Sequence, residues 1–524
     1  MISESKALII DTAMLRSLSL AGIAVPIARE CSLTGFACRS PCLGGCHRLE
    51  APLLPPLDED LESVSKENYD FSEDEPDAGT FAPIKLKGFT WTSMAALCLM
   101  TLASSLDIQF IHNSYRGLEI DLGFDSQVIA NLSSATLLGW AIASPVWGAL
   151  TDRFSRKRVL LAGYLGWALP MLLLAFSSYP WQFYILRFVK GALGSCLFPA
   201  TTSILMEVVP PSRYGIVQGG FFFLSQFFMT IGAYVGVSVS QVAVQGVGAW
   251  RYGYGFCAAL GVVVSIIVAV FMQEPSNTRT YIPLTWGAEW QRIKKYIGSC
   301  MIWIVIVIGV FSSGPSCATT YLTLFYQYNG ISDQQVGRIL VITGFIGPFA
   351  NIIGGYVSDW LEMKYPHKGR IYTGMFSVVV VLTFKVWLIL LPVDENYFDH
   401  AVILNCLVLL FWWTTVSVNH PIYAEVVDPD DRGVMFAWLV CLEAVFASFF
   451  IYPSLGELSK AAGYYVSREP IAETPLVHRV NNANALADAM LPLIIGGWLV
   501  NLVMYVFALS RYGKAVQLRQ EKQQ

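Results

Sequence analysis

Apolar stretches of about 20 residues recur twelve times after Gly88, and short polar loops separate them. A stretch of this length crosses the hydrocarbon core of a bilayer as a helix, whereas a barrel strand would alternate over about ten residues. The pattern therefore predicts an all-α membrane protein with twelve transmembrane helices. The predicted spans 1 to 12 cover residues 90–111, 126–150, 157–177, 181–206, 215–241, 251–272, 299–322, 335–358, 371–392, 401–425, 434–456 and 489–510.

The composition excludes several other classes of protein. Of 524 residues, 55% are hydrophobic and only 14% are charged, against about 25% charged in a soluble domain. A disordered protein, a coiled coil and an ordinary cytosolic enzyme do not fit these values. The formal net charge of −4 gives no reason to expect nucleic-acid binding. No phosphate-binding loop, zinc-protease motif or nucleophile elbow is present, so we expect no enzymatic activity and no cofactor.

Lysine and arginine are distributed unequally between the two sets of loops. About 17 of them lie in one set of short loops and the C-terminal tail, and about six lie in the opposite set. Because basic residues are retained on the cytosolic side, this asymmetry predicts that both termini are cytosolic. The host membrane stays open between the plasma membrane and an endolysosomal membrane.

Two motifs repeat between the halves of the chain. GALTD at residues 148–152 ends predicted span 2, and GYVSD at 355–359 ends span 8. EVVPPSR at 207–213 ends span 4, and EVVDPDDR at 425–432 ends span 10. Two independent motifs that recur at nearly one period indicate duplicated six-helix halves.

These patterns divide the chain into five predicted regions. Residues 50–80 are acidic and contain Pro and Ser, which is typical of disorder. In that tail, Cys38, Cys42, Cys46 and His47 lack the paired spacing of a zinc site, so no metal is expected. The regions are a disordered cytosolic tail (1–88), an N-terminal six-helix bundle (89–273), a cytosolic linker (274–298), a C-terminal six-helix bundle (299–510) and a cytosolic C-terminal tail (511–524).

The segment GALTDRFSRKR at residues 148–158 resembles the loop 2–3 signature of the major facilitator superfamily. With twelve spans and the half repeat, the resemblance covers about residues 88–510. Within the superfamily the chain looks most like Spinster-type transporters, on SSLD at 104–107, DRFSRK at 152–157 and AWRY at 249–252. The resemblance implies two pseudo-symmetric bundles around a central cavity and alternating access.

The resemblance also implies a function. We expect a secondary active transporter for a small organic solute, with an amphiphile or lysolipid as a candidate substrate and protons as a candidate coupling ion. The alternative is a transport-fold receptor or nutrient sensor that signals through its N-terminal tail. The expected partners are this substrate, protons and membrane lipids, and the protein is expected to be a monomer.

A second implication is a conformational latch at the cytosolic ends of the helices. In the family, this cluster holds the cytosolic side closed in the outward-facing state. A weaker second copy is expected in the C-terminal half, because Trp360 rather than Arg follows the acid of the repeated motif. The latch residues are Gly148, Asp152, Arg153, Glu207 and Arg213, with Asp359, Glu425 and Arg432 as the second copy.

Charged residues inside the spans are the candidates for the substrate or proton site. Asp107 lies deep in span 1, and a charge there costs about 2.5–3.5 kcal/mol on insertion scales. Arg187 and Lys190 stand three residues apart in span 4 and share a face. We expect Asp107 to pair with Arg187; the alternative to a transport role is a static structural ion pair. Glu443 in span 11 and His420 in span 10 are further candidates.

Overall fold

The computed structural model describes the backbone of residues 90–209, 211–273, 286–428 and 431–523. The N-terminal tail, its cysteine cluster and most of the connection before residue 286 lie outside the described residues. Within the described ranges, eleven helices are long and apolar enough to cross a membrane. They are Trp91–Asn113, Ser126–Thr151, Arg156–Phe176, Pro180–Leu205, Val217–Val239, Ala249–Phe271, Cys300–Tyr328, Asp333–Lys364, Gly369–Ile389, Met435–Ala461 and Leu476–Arg519.

Span 10 is interrupted, which is why it is missing from that set. It begins as the apolar helix Tyr397–Leu410, continues as a π-helix over Thr414–Asn419 and ends as the helix His420–Val426. The irregular segment lies directly before His420 and Pro421. Eleven spans and this interrupted one are consistent with the twelve predicted helices.

Several spans are divided or extended, and short elements lie between them. The structure has these elements: Pro180–Gly194 and Leu197–Val208 in span 4; Pro211–Val239 in span 5; Cys300–Ala318, the 3₁₀ turn Thr319–Tyr321 and Leu322–Tyr328 in span 7; Arg432–Phe446, the π-helix Ala447–Ile451 and Tyr452–Ala461 in span 11; Leu476–Gln523 in span 12; the loop helix Tyr115–Leu122; the strands Ala243–Val244 and Val247–Gly248; and the linker helix Trp286–Ile297. The two strands pair antiparallel.

Side-chain caps and close glycine contacts fix the ends and spacing of the helices. The Asp125 carboxylate accepts a hydrogen bond from the Val128 amide (2.8 Å) and begins span 2. Ser332 and Gln335 form a reciprocal capping box at the start of span 8. Gly232 of span 5 lies so close to span 1 that an added Cβ would sit 2.0 Å from the Leu106 carbonyl oxygen.

The spans pack as two six-helix halves. In the first half, span 1 packs on spans 5 and 6, span 2 on span 4, and span 3 on span 6. In the second half, span 7 packs on span 12, span 9 on span 12, and span 8 on span 10. The seam between the halves is formed by span 5 against span 8 and by span 2 against span 11. This arrangement confirms the predicted fold class.

Two faces of the bundle need names. The terminal face is the end at which span 1 begins and span 12 leaves the bundle, and the distal face is the opposite end. Spans of odd number run from the terminal face to the distal face. The sequence predicts that the terminal face is cytosolic.

Candidate functional site

A buried ion pair joins spans 1 and 4. Lys190 Nζ lies 2.5 Å from Asp107 Oδ2, and the two side chains are 7% and 1% exposed. The other carboxylate oxygen of Asp107 has no hydrogen-bond partner. From span 3, the Tyr164 hydroxyl donates to the Met100 carbonyl oxygen (3.0 Å), about two turns from Asp107 along span 1. The pair is therefore enclosed by protein, and only one of the two carboxylate oxygens of Asp107 has a partner.

The predicted partner of Asp107, Arg187, is the wrong one. Its guanidinium turns to span 2, where Nε donates to the Leu132 carbonyl oxygen (3.3 Å). Positions three apart on a helix differ by about 60° in direction, so one side chain reaches span 1 and the other reaches span 2. Arg187 Nη1 is buried without a hydrogen-bond partner. Two cations and one carboxylate thus give this buried region an excess positive charge.

The other two predicted site residues lie in the second half of the molecule. The Glu443 carboxylate of span 11 lies against Gly309 of span 7, so close that a Cβ on Gly309 would be 1.7 Å from Oε1. The His420 ring packs edge-to-face on the Phe436 ring, with centroids 4.8 Å apart. The structure therefore brings Asp107, Lys190 and Arg187 into one region and places Glu443 and His420 elsewhere.

A second buried ion pair closes the distal face, and the sequence reasoning did not single it out. Arg116 Nη1 lies 2.7 Å from Glu119 Oε2 in the loop helix, and both side chains are 0% exposed. Glu119 also accepts hydrogen bonds from the Tyr328 hydroxyl (2.9 Å), the Tyr464 hydroxyl (3.0 Å) and the Ser467 amide (3.3 Å). These three partners belong to the second half. We call these five residues the distal seal.

Arg116 of the distal seal binds across the seam as well. It donates to the Tyr328 hydroxyl (2.8 Å) and to the Ser467 carbonyl oxygen (3.0 Å). Burial raises the pKa of the Glu119 carboxyl, and the Arg116 guanidinium opposes that rise. The Arg and Glu spacing of three residues was the available signal in the sequence, but their partners lie more than 200 residues away.

Further polar contacts cross the seam near the distal face. Asn113 accepts from the Thr323 hydroxyl (2.5 Å), and Gln241 donates to Asp333 (2.9 Å). Deeper in the bundle, Ser134 of span 2 still reaches the Ser448 carbonyl oxygen of span 11 (2.5 Å). The halves are thus joined from the distal face to the middle of the bundle.

Described contacts across the seam continue towards the terminal face: the Cys441 thiol donates to the Ala141 carbonyl oxygen (3.7 Å), and the rings of Phe223 and Phe349 lie 6.2 Å apart between centroids. A Cβ added to Gly148 of span 2, Gly219 or Gly220 of span 5, or Gly355 of span 8 would meet nothing within 4 Å. Each of these described glycines therefore borders open space. Arg153 is exposed there. The side chains of the predicted latch residues Asp152, Glu207 and Arg213 lie outside the described residues.

The second copy of the latch is organised differently from the prediction. Arg370 of span 9 donates to Asp359 (2.8 Å) and to Glu425 (3.1 Å), so it joins the two predicted acids. Tyr512, in the extension of span 12, also donates to Glu425. Arg432, the predicted basic member, instead donates to the Ala424 carbonyl oxygen (2.8 Å). All these contacts stay within the second half, beside a cavity of about 720 Å³.

Side chains of the linker helix bind the loop between spans 10 and 11. Lys295 Nζ lies 2.5 Å from Asp428 Oδ2 and 3.2 Å from Asp431 Oδ2. The Tyr296 hydroxyl donates to Asp431 (2.8 Å). The hydrogen bond between Lys295 and Asp428 raises the pKa of the lysine and lowers the pKa of the carboxyl.

Comparisons with known proteins agree with this geometry. A family model described as Major Facilitator Superfamily matches residues 95–451. The chain is 26% identical over 306 residues to the probable galactarate/D-glucarate transporter GudP of Escherichia coli, covering 50% of this chain and 65% of that protein. It is 26% identical over 263 residues to the class B tetracycline resistance protein of Escherichia coli, covering 48% of this chain and 62% of that protein.

Solved structures share the fold. A bacterial homolog of the human lysosomal transporter Spinster, inward-facing and unoccupied, matches with a TM-score of 0.67 and 13% identity, over 81% of this chain and 98% of that one. A D-xylose–proton symporter matches with a TM-score of 0.58 and 14% identity, over 79% and 97%. The resemblance to Spinster-type proteins expected from the sequence is confirmed for the fold.

Proposed function

The chain belongs to the major facilitator superfamily, and we propose that it is a secondary active transporter that moves a small organic solute by alternating access. The seam between the halves supports this proposal, because polar contacts join it at the distal face, whereas described glycines towards the terminal face border open space. Rocking the halves would exchange which face is open. With both termini in the cytosol, as the basic loops predict, we propose that this arrangement is open to the cytosol.

We further propose that the Asp107–Lys190 pair couples transport to protons. The observation that carries this proposal is the half-satisfied ion pair, buried within the span of the membrane. Movement of Lys190 away from Asp107 would leave the carboxylate buried without its partner, and binding of a proton would remove that cost. Both residues belong to the first half, so we propose that span 1 shifts against span 4 within that half during the transport cycle. Arg187 lies in the same region and would tune the affinity for the proton.

The charge and the aromatic residues of the seam favour one class of solute. Near the pair, Arg187 and Lys190 exceed the single carboxylate, which favours a solute with a negative group. Phe227 and Phe345 pack edge-to-face between spans 5 and 8, with ring centroids 5.5 Å apart, and offer an apolar lining. We therefore propose an organic anion with an apolar part, of which a lysolipid is one example.

Flux in proteoliposomes tests both parts of the proposal. The panel contains galactarate, D-glucarate, D-xylose, tetracycline, a nucleoside and a lysophospholipid, each offered with and without a pH gradient. We expect saturable uptake of at least one anionic member, accelerated by the gradient. Asp107→Asn keeps the shape but cannot titrate, so it should abolish accumulation driven by the gradient while counterflow at equal pH continues.

Two further variants control this experiment. Asp107→Asn leaves Lys190 as a buried unpaired cation and should lower stability; adding Lys190→Gln should restore part of it. Asp399→Asn removes an exposed carboxylate and should change neither property. Uptake by Asp107→Asn that still responds fully to the gradient would remove Asp107 as the coupling group, and Glu443 would be tested next. A panel without any flux would favour the receptor alternative.

A further inference from the structure

The linker helix Trp286–Ile297 presents an apolar stripe that nothing in the transport proposal uses. Trp290, Ile293 and Ile297 are spaced by three and four residues and so share one side of the helix. Trp290 is 53% exposed and Ile297 is 44% exposed. A different side of the same helix is buried, because Tyr296 is only 7% exposed and binds Asp431. Trp290 and Ile297 therefore face away from the bundle, whereas Ile293, on the side nearer Tyr296, packs against its core.

The position of the helix places this stripe at the membrane boundary. Only two residues separate Ile297 from Cys300, where span 7 begins. The indole of Trp303, in the first turn of span 7, is 48% exposed and donates from Nε1 to the Ile297 carbonyl oxygen (2.7 Å). Exposed tryptophans at helix ends mark the headgroup level of a bilayer. The linker helix thus ends where lipid headgroups begin.

The charge beside the stripe is positive. Lys294 is exposed on one flank of the stripe, about 40° around the helix from Trp290, whereas Arg292 and Lys295 lie on the opposite side and pair with Asp431 and Asp428. The loop between spans 2 and 3, on the same face of the bundle, adds the exposed Arg153 and Arg158. A helix with tryptophan and isoleucine on one side and a basic residue at its edge is typical of helices that lie in the interface of anionic membranes.

We propose that the linker helix binds the anionic headgroups of the leaflet at the terminal face, with Trp290 and Ile297 inserted among the acyl chains and Lys294 at the phosphates. Its buried side holds Asp428 and Asp431 through Lys295 and Tyr296. Lipid binding on one side therefore steadies the loop between spans 10 and 11 on the other. This lipid site goes beyond the proposed transport activity and does not depend on it.

Hydrogen exchange of the full chain in nanodiscs tests the site without a transport substrate. The backbone amides of residues 287–298 are compared in phosphatidylcholine nanodiscs and in nanodiscs with about 30% phosphatidylserine. We expect exchange about fivefold or more slower in the anionic nanodiscs, and the difference should disappear at high salt. Peptides from the loop between spans 10 and 11 should follow the same change.

Variants decide whether the stripe and its charge are responsible. Lys294→Gln should remove most of the difference between the two lipids, and Trp290→Ser should speed exchange in both. Lys514→Gln makes the same change of charge at an exposed site on the span 12 extension and should leave the difference intact. Equal exchange in the two lipids, or a difference that survives Lys294→Gln, overturns the proposal. Protection in detergent equal to that in nanodiscs would mean that another segment of the chain covers the stripe, which overturns it as well.

Discussion

The distal and terminal faces use their charged side chains in different ways. At the distal face, Arg116 and Glu119 of the first half bind Tyr328, Tyr464 and Ser467 of the second half. At the terminal face, the described ion pairs of the second half join neighbours within that half, as Arg370 does with Asp359 and Glu425. Contacts that cross the seam favour one state of a rocking molecule, whereas contacts within one half are unaffected by a rigid rocking of the halves.

This difference separates two kinds of mutation. Loss of a contact across the seam should change the ratio of the two states. Loss of a contact within one half should change stability alone. Distances between spin labels at the distal face measure the first effect, and thermal unfolding measures the second. Val242 and Lys460 are exposed there on opposite halves. They are suitable label sites in a variant in which most of the native cysteines have been replaced.

The largest effect is expected from Arg116→Met. Removal of one partner of a fully buried ion pair costs about 3–5 kcal/mol, because the remaining charge is buried without compensation. Here Glu119 can escape that cost by moving into water when the distal face opens. The distance between labels at residues 242 and 460 should therefore increase. Adding Glu119→Leu removes the stranded charge and should return much of the population to the closed distance.

Unchanged label distances in Arg116→Met would mean that the distal seal does not control the state. In that case the contacts between spans 2 and 11, such as Ser134 with Ser448, would be the next to remove by mutation.

Arg370→Met should be destabilising without any change of state. Arg370 makes charge-assisted hydrogen bonds to Asp359 and Glu425, and together they contribute about 2 kcal/mol. We expect a melting temperature a few degrees lower and unchanged distal label distances. Lys364→Met is the matched control, since this exposed lysine packs only on the rings of Trp360 and Tyr365. A shift of the distal distances in Arg370→Met would show that the second copy of the latch also acts across the seam.

Arg153→Ala tests the latch proposed for the first half. Arg153 is exposed, and interactions of an exposed charge contribute at most about 1 kcal/mol, so its loss should leave thermal stability nearly unchanged. If Arg153 contributes about 1.4 kcal/mol to closing the terminal face, the ratio of the states changes tenfold. Transport should then slow while binding of the solute persists, and Asp152→Asn should act alike. Lost binding with normal cycling of bound solute would contradict the latch.

The smallest effect concerns Lys295 and Asp428, a pair in which both residues are partly exposed. Its contribution should be below about 1 kcal/mol. The lowered pKa of Asp428 gives stability that is present above the usual Asp pKa near 3.9 and is lost as the pH falls through the folded pKa. The raised pKa of Lys295 gives stability that is lost only in strongly alkaline solution.

The melting temperature of Asp428→Asn should therefore lie below that of the parent by a constant small amount between about pH 5 and 9. The difference should shrink in acid. A difference that grows as the pH falls would contradict the pairing.

The sequence predicted the helices well because hydrophobic length is a local property. The ends of span 3, predicted at 157–177 and observed at Arg156–Phe176, differ by one residue. Repeated motifs also predicted the two halves. The sequence predicted that Asp107 of span 1 pairs with Arg187 of span 4, whereas the structure pairs it with Lys190 of the same span.

The pairing of Asp107 with Lys190 instead of Arg187 was not predictable, because it depends on the rotation of span 4 about its axis. That rotation is set by contacts such as Gly191 against the Thr136 carbonyl oxygen, where an added Cβ would lie 2.1 Å away. Arg370 and Glu119 were missed for a related reason. Each gains its role from residues far along the chain, and a single sequence contains no record of which distant residues meet.

Opening the distal seal would make the conformational equilibrium depend on water activity. In the closed state, Glu119 takes its hydrogen bonds from Arg116, two tyrosines and one backbone amide. In an open state, water molecules must replace each of these donors and hydrate the guanidinium. Osmolytes that are excluded from protein surface oppose such hydration and would favour the closed distal face. The osmotic strength of the compartment beyond that face would thus act on the transport cycle without binding to any site.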